Sequence, residues 1–200
     1  LDGFMGVDSA SQTWITGDEA KKDTHRLRAS VDAVMIGRQT ALIDDPQMTV
    51  REVKGENPIR VIVDTNRKLP LTLNIFRDHI AETIVLCSQN NFSPSRTSFC
   101  KYIPVKEENG KLSTDHILLS LGQEGIITIL IEGGSKLLRS FGDDKLIDEI
   151  YVYTSPDNLE NAHLRNPLIL DESWGIKNEI KLGRDSLITA IKKEKCLQES

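Results

Sequence analysis

Ile126-Ile127-Thr128-Ile129-Leu130-Ile131-Glu132-Gly133-Gly134-Ser135-Lys136-Leu137-Leu138 is a nearly unbroken apolar run that ends on a carboxylate and breaks into two glycines before a helical pattern. A run this rich in β-branched residues predicts a strand over 126–131 buried on both faces, as in a sheet covered by helices. The carboxyl ends of such strands are where open α/β sheets place their ligands. Gly133 and Gly134 let the backbone turn tightly and approach a ligand, and the amides that open the next helix favour a phosphate. A strand followed by two glycines is also what a plain strand-to-helix turn looks like. Glu132 adds the chemistry, because a carboxylate set directly after a buried strand needs a partner, and a bound ligand is one.

A second segment has the same form. Ala33-Val34-Met35-Ile36-Gly37-Arg38-Gln39-Thr40 is a short apolar strand that ends at a glycine, with Arg38 and Thr40 at the predicted start of a helix. Helix-start amides, a hydroxyl and a guanidinium together suit a phosphate of a dinucleotide. The loop Asp44-Asp45-Pro46-Gln47-Met48-Thr49-Val50-Arg51 follows, where Asp45-Pro46 is turn chemistry and Asp44 reads as a cap.

Further strands are predicted at 59–63 and 83–87, and the alternation with helices implies a mainly parallel sheet with right-handed crossovers. Thr16 with Glu19 predicts a capping box for a helix running to Ala29. Ile117, Leu118 and Leu121 predict a short helix that stops at Gly122. Residues 150–154 and 185–191 read as strands that finish the sheet in antiparallel fashion, and 90–96 and 107–111 read as surface loops. The whole of 1–200 is expected to be one domain.

Composition narrows the function. The 200 residues, 38% of them hydrophobic, can bury one core of ordinary size. No apolar run reaches membrane-spanning length and no signal-peptide pattern opens the chain, which argues against a membrane span or secretion. The 30 acidic against 25 basic residues argue against nucleic acid, so an anionic ligand needs a local basic cluster. Cys87, Cys100 and Cys196 form no CxxC pair and suit a reducing, cytoplasmic setting, while His25, His79, His116 and His163 lack metal-ligand spacing.

Taken in order, Trp14-Ile15-Thr16-Gly17, His25-Arg26-Leu27-Arg28, Val31-Asp32-Ala33-Val34-Met35-Ile36-Gly37, Thr40, Asp44-Asp45-Pro46 and Thr49-Val50-Arg51 resemble the reductase domain of the bifunctional riboflavin-biosynthesis deaminase/reductase. Asn57-Pro58-Ile59-Arg60-Val61-Ile62-Val63-Asp64-Thr65, Leu69-Pro70, Ile131-Glu132-Gly133-Gly134-Ser135, Leu146 to Tyr153 and Leu182-Gly183-Arg184-Asp185 continue it in the same order. The resemblance implies a dihydrofolate-reductase-like α/β fold, a mixed, mainly parallel sheet flanked by helices with NADPH across the strand ends. It implies reduction of 5-amino-6-(5-phosphoribosylamino)uracil, whose opened ribose is an imine that takes hydride at the anomeric carbon. It also points to a homodimer and to a fused or associated deaminase domain.

The same resemblance distributes roles. Arg28 and Arg51 would grip the substrate phosphate, Met48 would contact the substrate, and Glu132 would reach the sugar as hydrogen-bond acceptor or proton carrier. Trp14, Thr40, Asp44, Thr65, Gly134 and Ser135 would hold the cofactor, with Asp44 a second candidate for proton handling. Arg38 joins the cofactor set on chemistry alone, near where a 2′-phosphate would sit.

Two departures stand out. The chain opens at Leu1-Asp2-Gly3 where the family carries a further strand, so the first strand reads as incomplete, and Phe4 stands where a basic residue is common. After Tyr153 the run Ser155-Pro156-Asp157-Asn158-Leu159-Glu160 lacks the family's lysine and glycine. Two rivals stay open at this point: a reductase of the same fold acting on the non-deaminated diaminopyrimidine or a dihydrofolate, and a non-catalytic assembly domain.

Overall fold

The structure is a computed structural model that describes residues 4–6, 15–94, 100–157, 162 and 164–193. In chain order the elements are β1 (Phe4–Gly6), α1 (Asp18–Ala29), β2 (Ala33–Gly37), α2 (Arg38–Asp44), β3 (Ile59–Val63), α3 (Asn74–Arg77), β4 (Thr83–Ser88), β5 (Cys100–Val105), β6 (Glu107–Glu108), β7 (Lys111–Leu112), α4 (Thr114–Gln123), β8 (Ile129–Gly133), α5 (Ser135–Asp143), β9 (Glu149–Thr154), β10 (Leu164–Arg165), β11 (Trp174–Leu182) and β12 (Asp185–Lys192).

Five strands form a parallel sheet in the order β5-β4-β3-β2-β8. The period-two alternation of β2 explains its two faces. Ala33 and Met35 pack with Ile117, Leu121 and Phe141 of α4 and α5, whereas Val34 and Ile36 pack with Ala41, Met48, Ile75 and Phe76 on the other side. Covered on both faces, β2, β3 and β4 read as continuous apolar runs for that reason. Arg60, fully buried on β3, is the exception: its guanidinium forks onto Asp78 at 2.7 and 2.9 Å and donates to the carbonyls of Ile75 and Ala81, fastening α3 to the sheet.

The antiparallel strands expected to finish this sheet make a sheet of their own, in the order β11-β12-β9. The opening run also divides differently from its pattern. The strand is Ile129–Gly133, half-buried, and among the described residues it pairs only with β2. Ile126 instead closes α4, its amide bonding the Leu121 carbonyl while Gly125, at φ +83, bonds Gly122. That is a Schellman motif with Gly125 just past the Glu124 cap, so α4 runs through Gly122 to Gln123. Asp32 then holds the amides of Ile127 and Thr128 before the strand begins.

Other expectations shift by small steps. The capping box at Thr16 does not form: Gly17 is the N-cap, without a side-chain cap, and its amide donates to Asp185 Oδ2 at 2.6 Å. Asp45, not Asp44, does the capping after α2, accepting the Asn74 amide that opens α3. Residues 107–111 form a small exposed hairpin rather than an irregular loop. Among the described residues no helix is long and apolar enough to cross a membrane.

Candidate functional site

Chain order places the site. From β2 the sheet grows one way through β3, β4 and β5, then returns to add β8 on the other flank of β2. Ligands bind outside the carboxyl ends of strands at such a reversal. Here Ile36 is in register with Gly133, so the starts of α2 and α5 face each other across the gap. A Cβ on Gly133 would stand 3.3 Å from Thr40 Cγ2, and one on Gly134 3.5 Å from Thr40 Oγ1 and 3.7 Å from the Gly37 amide nitrogen. Gly134 also holds φ +90, which side-chain-bearing residues rarely adopt. Thr40 therefore packs closely on both glycines beside the start of α5 at Ser135, and a side chain at either position would crowd that contact. Clefts of about 350 and 420 Å³ lie elsewhere, by the Gly183 turn and at the amino ends of β2 and β3, and contain none of these residues.

Beside the glycines, Glu132 is gripped by Arg28 from the end of α1. Arg28 Nε and Nη2 donate to the two carboxylate oxygens at 2.6 Å each, and Nη1 donates to the Thr49 carbonyl at 3.0 Å. Arg28 is thus occupied by protein partners, while Arg51, exposed, spends one donor on Thr49 Oγ1 at 2.6 Å. The Arg51 amide donates to Nδ1 of His25, one helical turn before Arg28. Burial, reinforced by Arg28 and Arg51, lowers the His25 pKa to about 4. The ring is neutral near pH 7, and since Nδ1 accepts, Nε2 carries the proton.

The remaining candidates fall in three places. Asp44 ends α2, half-buried, and burial raises its pKa. Arg38, part-exposed at the start of α2, lies 3.9 Å from Asp64 Oδ1, and Thr65 follows on the next turn. Met48 takes φ +52 and sits in the core with Val34 and Ile36, 1% exposed, so it presents no surface to a ligand. Trp14 lies outside the described residues.

Two groups escaped the sequence reading. His25 stands out in the sequence only as part of a motif and as one of four histidines without metal-ligand spacing, although its spacing from Arg28 places both on one face of α1. Asp64 directly follows β3, much as Glu132 stands near the end of β8; it is 1% exposed, holds the Leu69 amide through Oδ2, and leaves Oδ1 without a hydrogen bond. A buried acceptor after a strand end, an arginine 3.9 Å from it and a glycine turn at the start of α5 are the kind of groups that receive the ribose and phosphates of a dinucleotide.

Such a framework defines an α/β protein with a parallel five-strand sheet covered by helices and its candidate site at the carboxyl ends of β2 and β8. The chain belongs to the family of the RibD C-terminal domain, which it matches over residues 1–159. It is 34% identical over 169 residues to the 2,5-diamino-6-ribosylamino-4(3H)-pyrimidinone 5′-phosphate reductase of Archaeoglobus fulgidus, covering 78% of this chain and 76% of that one. It is 33% identical over 157 residues to the riboflavin biosynthesis protein RibD of Aquifex aeolicus, covering 78% of this chain and 44% of the relative. The solved structure of Acinetobacter baumannii RibD matches with a TM-score of 0.77 at 26% identity, over 97% of this chain and 56% of that one. The chain therefore spans less than half of the Aquifex protein and three quarters of the Archaeoglobus enzyme.

Proposed function

We propose that this chain is an NADPH-dependent reductase of 5-amino-6-(5-phosphoribosylamino)uracil, producing the ribitylamino compound of riboflavin biosynthesis. The observation that carries the reading is the Arg28-bound Glu132 standing immediately before the Gly133–Gly134 turn, in a chain of this family. One strand end thereby offers a cofactor gap and a polar group for a sugar side by side.

Thr40, Gly134 and Ser135 would hold the cofactor's phosphates, Thr65 and Arg38 its adenosine end, where a 2′-phosphate finds the guanidinium. Bound there, a reduced nicotinamide supplies hydride. The opened ribose imine gains that hydride at carbon and a proton at nitrogen, becoming a secondary amine. Asp44, whose carboxyl burial favours the protonated form, is suited to hand over the proton. Glu132, fixed by the Arg28 fork, orients sugar hydroxyls, and Arg51 meets the substrate phosphate with its free donors. We place the reaction in the cytoplasm, in a homodimer, with a deaminase fused or associated.

A second reading has its own support. The Archaeoglobus relative, matched over 76% of its length, is named for the diaminopyrimidinone, so the non-deaminated compound is the competing substrate. Steady-state NADPH oxidation with each pyrimidine tests both: turnover preferring the uracil supports the first reading, and turnover preferring the diamino compound supports the second. Absence of turnover with either would refute the assignment.

A further inference from the structure

We propose that His25 is a positioning residue that holds Arg51 where it meets the substrate phosphate; this rests on the reading of Arg51 given above. Residues 45–51 have no helix or strand of their own. Their path is set instead by bonds from neighbouring elements: Arg28 holds the Thr49 carbonyl, Asn57 Oδ1 accepts the Val50 amide at 2.8 Å, and His25 Nδ1 accepts the Arg51 amide at 3.0 Å. Of these three only the last acts on the Arg51 backbone, whose side chain separately donates to Thr49 Oγ1, and it comes from a ring 2% exposed on α1.

The consequence for binding is geometric. An arginine side chain loses much rotamer freedom when it grips an anion, and less remains to be lost if its backbone is already fixed. His25 and Arg28, one turn apart on α1, act on the same loop, so the helix that fixes Glu132 also fixes the phosphate end. A proton on Nδ1 would abolish the bond to Arg51. The charged groups facing the ring are Arg28 and Lys21 on α1 and Arg51 and Glu52 on the loop.

The experiment compares His25→Ala, His25→Asn, Arg51→Ala and the His25→Ala/Arg51→Ala double variant with the phosphorylated pyrimidine and its dephosphorylated analogue. His25→Ala should raise KM for the phosphorylated substrate about ten-fold with kcat nearly constant and leave the analogue unaffected. Asn, whose Oδ1 can replace Nδ1 as acceptor, should restore most of the loss. The double variant should be no worse than Arg51→Ala, because the two residues act through one contact. If Arg51→Ala raises KM while His25→Ala does not, or the two effects multiply, the positioning role is overturned and the Arg51 reading stands. If Arg51→Ala leaves KM unchanged, the Arg51 reading itself fails. Should His25→Ala not fold, His25→Phe, which fills the buried site but offers no acceptor to the Arg51 amide, serves instead: a KM rise confined to the phosphorylated substrate supports the role, and an unchanged KM overturns it.

Discussion

Arg28 and Glu132 meet as two parallel charge-assisted hydrogen bonds of 2.6 Å, although 104 residues separate them in the chain. Their side chains are 13% and 14% exposed, so each is largely removed from water and depends on the other. The fork ties the end of α1 to the end of β8 and presents a fixed carboxylate beside the glycine turn.

Removing one partner strands the other's charge, which is worse than removing both. Glu132→Gln, which loosens the Arg28 fork that orients the sugar, should lower turnover about 10²-fold through misplacement and destabilise the fold by about 1.5–3 kcal/mol. Arg28→Met with Glu132→Leu should cost less stability than the sum of the single changes, as chemical denaturation would show. Normal turnover in Glu132→Gln with a lowered melting temperature would make Glu132 purely structural.

Gly134 at φ +90 and Gly125 at φ +83 share an unfavourable conformation but not a location. Alanine at either should cost about 1–3 kcal/mol of stability. Only Gly134→Ala, whose methyl points toward Thr40 and Gly37, should weaken NADPH binding, by about ten-fold or more in calorimetric titration. Equal affinities in the two variants would move the cofactor away from this gap.

His25 makes stability pH-dependent. Its pKa falls from 6.5 to about 4 on folding, so between those values the unfolded chain binds more protons than the folded one. Stability should therefore drop as pH falls through that window, by about 3–4 kcal/mol in all, and not change further from this group below it. Asp44 has the opposite sign, its raised pKa disfavouring the fold as pH rises through it. Urea midpoints of wild type and His25→Asn, compared from pH 7 to 4, should diverge; parallel curves would contradict the burial of a neutral ring.

Lys145 closes α5 in the left-handed region at φ +59, with its amide on Gly142 and the Leu146 amide on Phe141. Glycine suits that position better. Lys145→Gly should stabilise by about 0.5–1 kcal/mol and raise the melting temperature by roughly 1–4 °C.

Much of this was legible in the residues. The apolar runs of β2, β3 and β4 announced strands covered on both faces because they are covered on both faces, and glycine after an apolar run marked both helix starts at the gap. What failed was information carried by distant partners. Nothing near Thr16 shows that Asp185, from the last strand, takes the Gly17 amide. Nothing in Ile126-Ile127-Thr128 separates a helix stop from a strand, since both use apolar residues, and the difference lies in the Asp32 carboxylate 95 residues away. Met48 reads as a ligand contact by its place in a motif, yet packing against Val34 and Ile36 buries it. The Arg28 fork onto Glu132 is likewise invisible in sequence, because two residues each apt for a ligand turn out to face each other.

The proposed reaction passes hydride from NADPH to the anomeric carbon of a phosphoribosylaminopyrimidine. Incubation with NADPH carrying deuterium at the transferable C4 position, followed by magnetic resonance of the product, follows that hydride. One deuterium is expected on the first carbon of the ribityl chain. Consumption of NADPH without label at that carbon, or no product from either pyrimidine, would rule the transfer out.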